Sequence, residues 1–408
     1  MGGLWRHKDF MRLWTSQTIE AVGGEFTSLA LPTVAILLLN AGPLEMGILY
    51  GLQSLAAPVL GLFVGVWVDR WRRRRIMVLA NFGRMLVLSW VPLAFIFGVL
   101  RLYQLFIVAA LLGVFTIFFD IANQSYLPSL IDRKDLIEGN SKLTTTQSGA
   151  PMIGQPLAGF LIHLIGAAKS IAVDACGFFI SALMIFSIRK PEAPLSSNVD
   201  HNFVKELREG AEVVFNSPIL RSIAACTATL NLGSSIFWTV FLLFTYHQLN
   251  LSPEIVGVAV GLGSVGFLAG ALTASKIVKA LGLGPTLALS IVISGIGLLM
   301  IPLILYRPSV TLLAALWMLA SVGIPIYNIN QVSLRQAITP DRFQGRMNAT
   351  IRTIIGGTIP LGAFVGGILG AQFGIHSTLI IGAVVSTAGV IFLFNRPVRA
   401  LRQIPSMT

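Results

Sequence analysis

Long runs of apolar residues constrain this chain more than any other feature. Most are about 20 or more residues long, enough for one helix to cross the roughly 30 Å hydrocarbon core of a bilayer. A membrane β-barrel would instead show short segments of alternating polarity. With 55% hydrophobic and only 11% charged residues, the chain lacks the polar surface of a soluble domain. We therefore predict an all-α integral membrane protein.

Glycine, proline and charge clusters divide the apolar sequence into twelve predicted spans. They cover about 14–39, 46–68, 76–100, 103–127, 141–165, 168–188, 219–246, 254–278, 285–305, 309–333, 347–371 and 375–395.

A polar stretch near the midpoint separates six predicted spans from six. We predict an N-terminal domain over 1–188, a linker over 189–218 and a C-terminal domain over 219–408. Within the linker, apolar residues recur at helical spacing and predict an amphipathic helix, either at the inner membrane surface or as a spacer between the domains: Phe203, Leu207, Ala211, Val214 and Phe215.

The distribution of Lys and Arg predicts the orientation. Short loops rich in these residues stay cytoplasmic, and the loop after the second span contains the basic run Arg72–Arg75. Only Arg101, Lys169 and Arg307 fall in loops on the opposite side. We predict a multi-pass protein of the inner (cytoplasmic) cell membrane with both termini in the cytoplasm. The net charge of +12 then faces anionic lipid and not nucleic acid.

The two halves of the sequence resemble each other. Gly47 and Gly51 recur 210 residues later as Gly257 and Gly261. A second set recurs 208 residues later, with Gly149, Gly154 and Gly159 matching Gly357, Gly362 and Gly367. Parallel six-span repeats are typical of secondary transporters that bind substrate near the bilayer midplane.

Several motifs resemble one family. The residues from Gly65 to Arg74, GVWVDRWRRR, are similar to the loop 2–3 signature of the major facilitator superfamily. Stretches at 10–14, 23–32, 119–128, 206–210 and 340–348 are similar to its bacterial branch of macrolide-efflux proteins and enterobactin exporters. The resemblance covers about residues 9–395.

The resemblance implies the major facilitator fold, twelve helices in two pseudo-symmetric six-helix bundles, with alternating access and efflux. It implies a gating role for Gly65, Asp69, Arg70, Arg73 and Arg74, and a contact of Asp69 with Arg352 when the cytoplasmic side is closed. The run from Gly154 to Gly159 is similar to a Gly-Pro motif associated with antiport, with its proline displaced by one residue.

Six charged residues fall within predicted spans: Glu20, Glu25, Arg84, Asp120, Asp174 and Arg352. A charge at this depth costs about 2.5 kcal/mol or more, so it is usually paired or functional. Glu25, near the middle of span one, is the first candidate for proton coupling. A structural hydrogen bond is the alternative, and Glu20 and Asp120 are further candidates.

Arg84 and Asp120 lie at similar depths in spans three and four. We predict that they form a buried ion pair, because an unpaired buried charge is costly. The alternative is that Asp120 carries a proton. Asp174 in span six is predicted to be structural.

Aromatic and amide side chains in spans seven and ten predict a cavity for a large amphipathic or weakly cationic substrate. The candidates, with one residue from span one, are Phe26, Trp238, Phe241, Tyr327, Asn328 and Gln331. The alternative is that aromatics near span ends act as interfacial anchors.

An enzyme is not predicted, since the chain has no Walker-type loop and its five histidines are scattered. No cofactor or metal site is expected. We predict a monomeric, proton-coupled exporter of drug, macrolide or siderophore-like molecules. Open alternatives are a non-transporting sensor or scaffold, a lipid flippase, or an importer on the same fold.

Overall fold

The computed structural model describes residues 3–192 and 203–403, and its regular structure there is helical. The α-helices are α1 Lys8–Thr33, α2 Pro43–Arg70, α3 Arg73–Ile96, α4 Leu102–Leu130, α5 Leu136–Ile165, α6 Ala167–Phe186, α7 Phe203–Asn216, α8 Pro218–Leu243, α9 Pro253–Gly263, α10 Val265–Leu281, α11 Leu283–Met300, α12 Val310–Ile338, α13 Asp341–Phe373, α14 Ile375–Ala388 and α15 Arg396–Arg399.

Ten helices of the described chain, counted with their adjoining turns, are long and apolar enough to cross a membrane. This confirms a multi-pass helical membrane protein. The predicted spans at 46–68 and 141–165 correspond to α2 and α5, which are not among the ten. The apolar half of α5 is interrupted by Pro151, Gln155, Pro156 and His163.

The sequence repeat is also a repeat of local structure. Helices α1 and α8 each run into a π-helical turn, Val34–Leu38 and Phe244–Gln248. An asparagine with a φ of 52° follows each turn, Asn40 and Asn250. Asparagine tolerates this left-handed conformation better than most residues with a side chain. Both features recur 210 residues apart, so the halves share backbone geometry as well as glycines.

The described chain divides into two compact units. Unit 1 comprises Met1–Gly42, Leu52–Val199 and Leu251–Gly261, and unit 2 comprises Pro43–Gly51, Asp200–Asn250 and Leu262–Thr408. The first part of α2 therefore groups with unit 2, and the first part of α9 groups with unit 1. These two segments are equivalent in the repeat.

Glycine crossings explain this grouping. Within unit 2, α2 meets α13 where Gly47 faces Gly367, and a Cβ added to Gly47 would lie 2.7 Å from the Cα of Gly367. Within unit 1, α9 meets α5 where Gly257 faces Gly159, and a Cβ on Gly257 would lie 3.1 Å from the Cα of Gly159. Small residues allow helix backbones to approach this closely in membranes. The two crossings join repeat-related glycines.

Within unit 1, α1 packs against α5 and α6, and α3 packs against α4 and α6. One hydrophobic core cluster of unit 1 includes Phe10, Leu13, Met77, Phe119 and Tyr126. Within unit 2, α8 packs against α13 and α14, and α12 packs against α10 and α11.

The predicted amphipathic helix of the linker is α7. The side chains at 203–207 lie outside the described residues, but Val214 is fully buried in a cluster with Met347 and Ile351 of α13. Glu209 forms an ion pair with Arg346 of the same helix. The face of α7 that carries Glu209 and Val214 therefore packs against α13 within unit 2.

Candidate functional site

Unit 1 contains a buried polar network centred on Glu20 of α1. The Glu20 carboxylate accepts hydrogen bonds from Asn81 Nδ2 at 2.6 Å and from the Ser181 hydroxyl. It also pairs with Arg84, whose Nη1 lies 3.2 Å from Glu20 Oε2. The Glu20 side chain is 10% exposed and the Arg84 side chain is 5% exposed. A buried pair with this many hydrogen bonds offsets much of its own desolvation cost.

The carboxylate in the ion pair of Arg84 is Glu20, whereas the predicted partner was Asp120, which is exposed. The Arg84 guanidinium lies 4.5 Å from the ring centroid of Phe119 and 5.0 Å from that of Phe178. Successive residues point about 100° apart around a helix. Because Phe119 faces Arg84, the side chain of the next residue, Asp120, leaves α4 in a different direction, although Asp120 and Arg84 lie at similar depths along their helices.

Glu25 of α1 is partly buried and accepts a hydrogen bond from Gln155 Nε2 of α5 at 2.6 Å. Gln155 also donates to Ser28 Oγ at 3.0 Å. Gly154 gives α1 the space to approach, since a Cβ there would lie 2.7 Å from that of Glu25. Gln155 was not predicted as a site residue, although an amide between Gly154 and Pro156 within a span was a usable signal.

Asp174 of α6 is the most deeply buried carboxylate of this region, with 1% exposure. The Thr27 hydroxyl of α1 donates to its Oδ2. Its Oδ1 has no hydrogen-bond partner in the described part of the chain and lies against the backbone of Gly23.

Unit 2 contains an aromatic cavity. Its walls include Trp238 of α8 with Trp317 and Tyr327 of α12, and its volume is about 110 Å³. The rings of Trp238 and Trp317 meet edge to face at a centroid distance of 4.8 Å. Phe241 stacks on Trp317 at 5.2 Å from a fully buried position. Aromatic side chains of predicted spans seven and ten therefore meet within unit 2, and their contact with a substrate stays a prediction.

Hydroxyl groups that were not among the predicted site residues complete the cavity wall: Ser234, Ser290, Ser294, Ser321 and Ser386. Ser290 and Ser294 are four residues apart on α11, a spacing that places them on one helix face.

The remaining substrate candidates differ in exposure and do not line this cavity in the described structure. Phe26 and Gln331 are buried, and Asn328 is exposed.

The predicted gating residues lie around the start of α3. The backbone N–H groups of Arg73 and Arg74 donate to the Glu192 carboxylate at 2.8 and 2.9 Å, which suits the positive end of a helix dipole. Arg70 is exposed, and a Cβ on Gly65 would meet no atom within 4 Å. Arg352 is exposed, and the Asp69 side chain lies outside the described residues. Their contact stays a prediction.

Ten membrane-length apolar helices in the described chain, duplicated turns, buried charges and an aromatic cavity are features found together in membrane transporters. Residues 4–407 match the family described as "Transmembrane secretion effector", and the chain belongs to this family of major facilitator superfamily transporters.

Three relatives align with nearly the whole of this chain. It is 24% identical to the uncharacterized MFS-type transporter YfiS of Bacillus subtilis, covering 97% of this chain and 95% of YfiS. It is 22% identical to macrolide efflux protein A of Streptococcus pyogenes, covering 97% and 98% of the two chains. It is 25% identical to the enterobactin exporter EntS of Salmonella choleraesuis, covering 95% and 91%. The predicted family resemblance is confirmed.

Solved structures share the fold. A variant of the nucleoside transporter NupG aligns with a TM-score of 0.76 at 13% identity, covering 95% of this chain and all of that one (100%). An inward-facing bacterial homologue of the iron transporter ferroportin aligns with a TM-score of 0.73 at 18% identity, covering 96% and 100%.

Proposed function

We propose that this protein is a secondary active exporter that moves an amphipathic small molecule out of the cell in exchange for protons. The family supports transport, and two relatives are named for efflux of a macrolide and of enterobactin. The aromatic cavity of unit 2, with five serines in its wall and a volume of about 110 Å³, is smaller than the roughly 300–1,000 Å³ of a typical ligand pocket and suits one part of such a substrate, an apolar ring with a few hydrogen-bonding groups.

The observation that carries the coupling proposal is the position of Glu25. Its carboxylate lies within a membrane span, partly buried, hydrogen-bonded by the neutral amide of Gln155 and without an ion pair in the described residues. A carboxylate held by a neutral partner exchanges a proton at lower cost than one held by a cation, such as Glu20. Glu25 is therefore the first candidate for the transported proton.

Alternating access follows from the fold class. We propose that α2 and α5 complete a set of twelve spans, in halves over 1–188 and 219–408 joined by the linker over 189–218. Both termini would face the cytoplasm, as the Lys and Arg distribution favours. Asp69 and Arg352 would pair while the cytoplasmic side is closed.

The test uses the purified protein in liposomes with an imposed proton gradient and a radiolabelled macrolide as the probe. We expect gradient-driven accumulation by the wild type. Glu25→Gln should reduce it to the level seen without a gradient, because the glutamine cannot exchange a proton but still accepts the Gln155 hydrogen bond.

Glu212→Gln is the matched control, since this carboxylate is exposed on α7. Full gradient-driven transport by Glu25→Gln would remove Glu25 from the coupling role. Uptake in the direction of the proton flow would favour an importer, and gradient-dependent movement of labelled phospholipid alone would favour a flippase.

A further inference from the structure

The four carboxylates in the predicted spans of unit 1 have different surroundings. Glu20 has a cation and hydrogen-bond donors, Asp120 is exposed, and Glu25 is partly buried beside an amide. Asp174 differs from all three, because it is 1% exposed and has one hydroxyl donor.

The helices around Asp174 supply little compensation for a negative charge. Helix α6 packs against α1, α3 and α5. The charges that act on Asp174 come from Arg84 on α3 and Glu20 on α1, and no titratable group of α5 does so among the described residues. Among the described residues, the ion pair of Arg84 is with Glu20 and not with Asp174.

An ionised carboxylate in this position would be strongly disfavoured. Burial without an ion pair penalises the charged form much more than the neutral acid. In the described part of the chain, Asp174 forms no ion pair, and its Oδ1 has no hydrogen-bond partner. Gly23 leaves room for this oxygen, because a Cβ at residue 23 would collide with it.

We propose that Asp174 is a second proton-binding site of this transporter and carries a proton while Arg84 is paired with Glu20. The proton is transferred from hydronium in the aqueous phase to a carboxylate oxygen, so one O–H bond of hydronium breaks, leaving water, and one O–H bond forms on the carboxyl. Arg84 pairs with Glu20 and also lies against Phe178, one helical turn along α6 from Asp174. If Glu20 takes up a proton, Arg84 becomes available to stabilise ionised Asp174. In each state one of the two carboxyls is protonated and the other is stabilised by Arg84. The role in transport rests on the function proposed above.

Infrared spectroscopy of the purified protein in lipid nanodiscs tests the protonation without any substrate. We expect the wild type near neutral pH to show a protonated-carboxyl C=O stretching band that shifts in D₂O. Asp174→Asn should lose a component of this band, whereas the exposed control Glu212→Gln should keep it. A spectrum of Asp174→Asn that superimposes on the wild type would overturn the proposal.

The substituted amide can still accept the Thr27 hydrogen bond, so we expect the variant to fold, as size exclusion and melting would check. Should it not fold, Thr27→Val serves instead, because removing the donor to Oδ2 should shift the same band component without removing the carboxyl. An unshifted band in Thr27→Val would count against the proposal.

Transport separates proton binding from a merely structural role. We expect Asp174→Asn to bind the labelled macrolide normally and to lose the response to the proton gradient. Gly23→Ala, which displaces Asp174, should weaken coupling, and the neighbouring Gly24→Ala should not, because a Cβ there meets no atom within 4 Å. Normal coupling in Asp174→Asn would reject the carrier role. A wild type that ignores the gradient would refute the proposed function, while the infrared band would still report on Asp174.

Discussion

At the scale of single residues, the partner of Arg84 is the most informative contact. Arg84 of α3 lies against two aromatic rings and pairs with Glu20 of α1. The predicted partner, Asp120, belongs to α4. Breaking a buried ion pair is costly, because removing one partner leaves the other charge buried and unpaired.

We predict that Arg84→Leu or Glu20→Leu alone destabilises the protein by about 3–5 kcal/mol, and that the double substitution recovers part of this loss. Thermal unfolding in detergent with a double-mutant cycle measures the coupling. The matched cycle of Arg84→Leu with Asp120→Leu should show a much smaller coupling. Equal coupling in the two cycles would restore Asp120 as a partner of Arg84.

At the scale of helices, the glycine crossings explain why certain segments pack together. Helix α5 meets α9 at Gly159, and α13 meets α2 at Gly367, within unit 1 and unit 2 respectively. A side chain at either position would meet backbone atoms, which cannot rotate away as a flexible side chain can.

We predict that Gly159→Ala and Gly367→Ala each cost about 1–3 kcal/mol, the usual range for overpacking a close contact. Gly149→Ala and Gly357→Ala are matched controls on the same two helices, with no atom within 4 Å of the added Cβ. Because these glycines have ordinary helical φ values, the controls should be neutral or slightly stabilising in thermal unfolding. A similar loss in all four variants would show that helix propensity and not the crossing is responsible.

At the scale of the whole molecule, the candidate proton-binding carboxylates and the cavity lined by Trp238 and Trp317 lie in different units. The buried carboxylates Glu20, Glu25 and Asp174 belong to unit 1, and the cavity lined by Trp238 and Trp317 belongs to unit 2. We therefore expect proton coupling and substrate affinity to respond to different substitutions.

We predict that Trp238→Ala weakens macrolide binding by about tenfold, the effect of losing about 1.4 kcal/mol, and leaves the dependence on the proton gradient unchanged at saturating substrate. Glu25→Gln should do the reverse. Trp90→Ala is the control, because Trp90 is an exposed tryptophan of unit 1 outside the cavity. Equilibrium binding and gradient-driven flux measure the two properties, and a loss of both in Trp238→Ala would contradict the division.

The sequence by itself determined the membrane class, the duplicated halves, the family and ten of its twelve predicted spans, which match membrane-length helices of the described chain. These properties depend on local patterns: run length, composition, and motifs such as the glycines 210 residues apart. The left-handed asparagines at residues 40 and 250 show that the repeat extends to the backbone. Such features need no knowledge of which helices are neighbours.

Only the tertiary structure decided which side chains meet. The depth of Asp120 along its span suggested it as the partner of Arg84. In the structure the partner is Glu20, because contact also depends on which way each helix face points. Neighbouring residues of a helix point about 100° apart, so residues at equal depth can face different neighbours. The Gln155 contact with Glu25 and the serines of the cavity depend on helices far apart in the sequence. Helix facing and helix neighbours are set by packing across the whole unit, so no local pattern contains them.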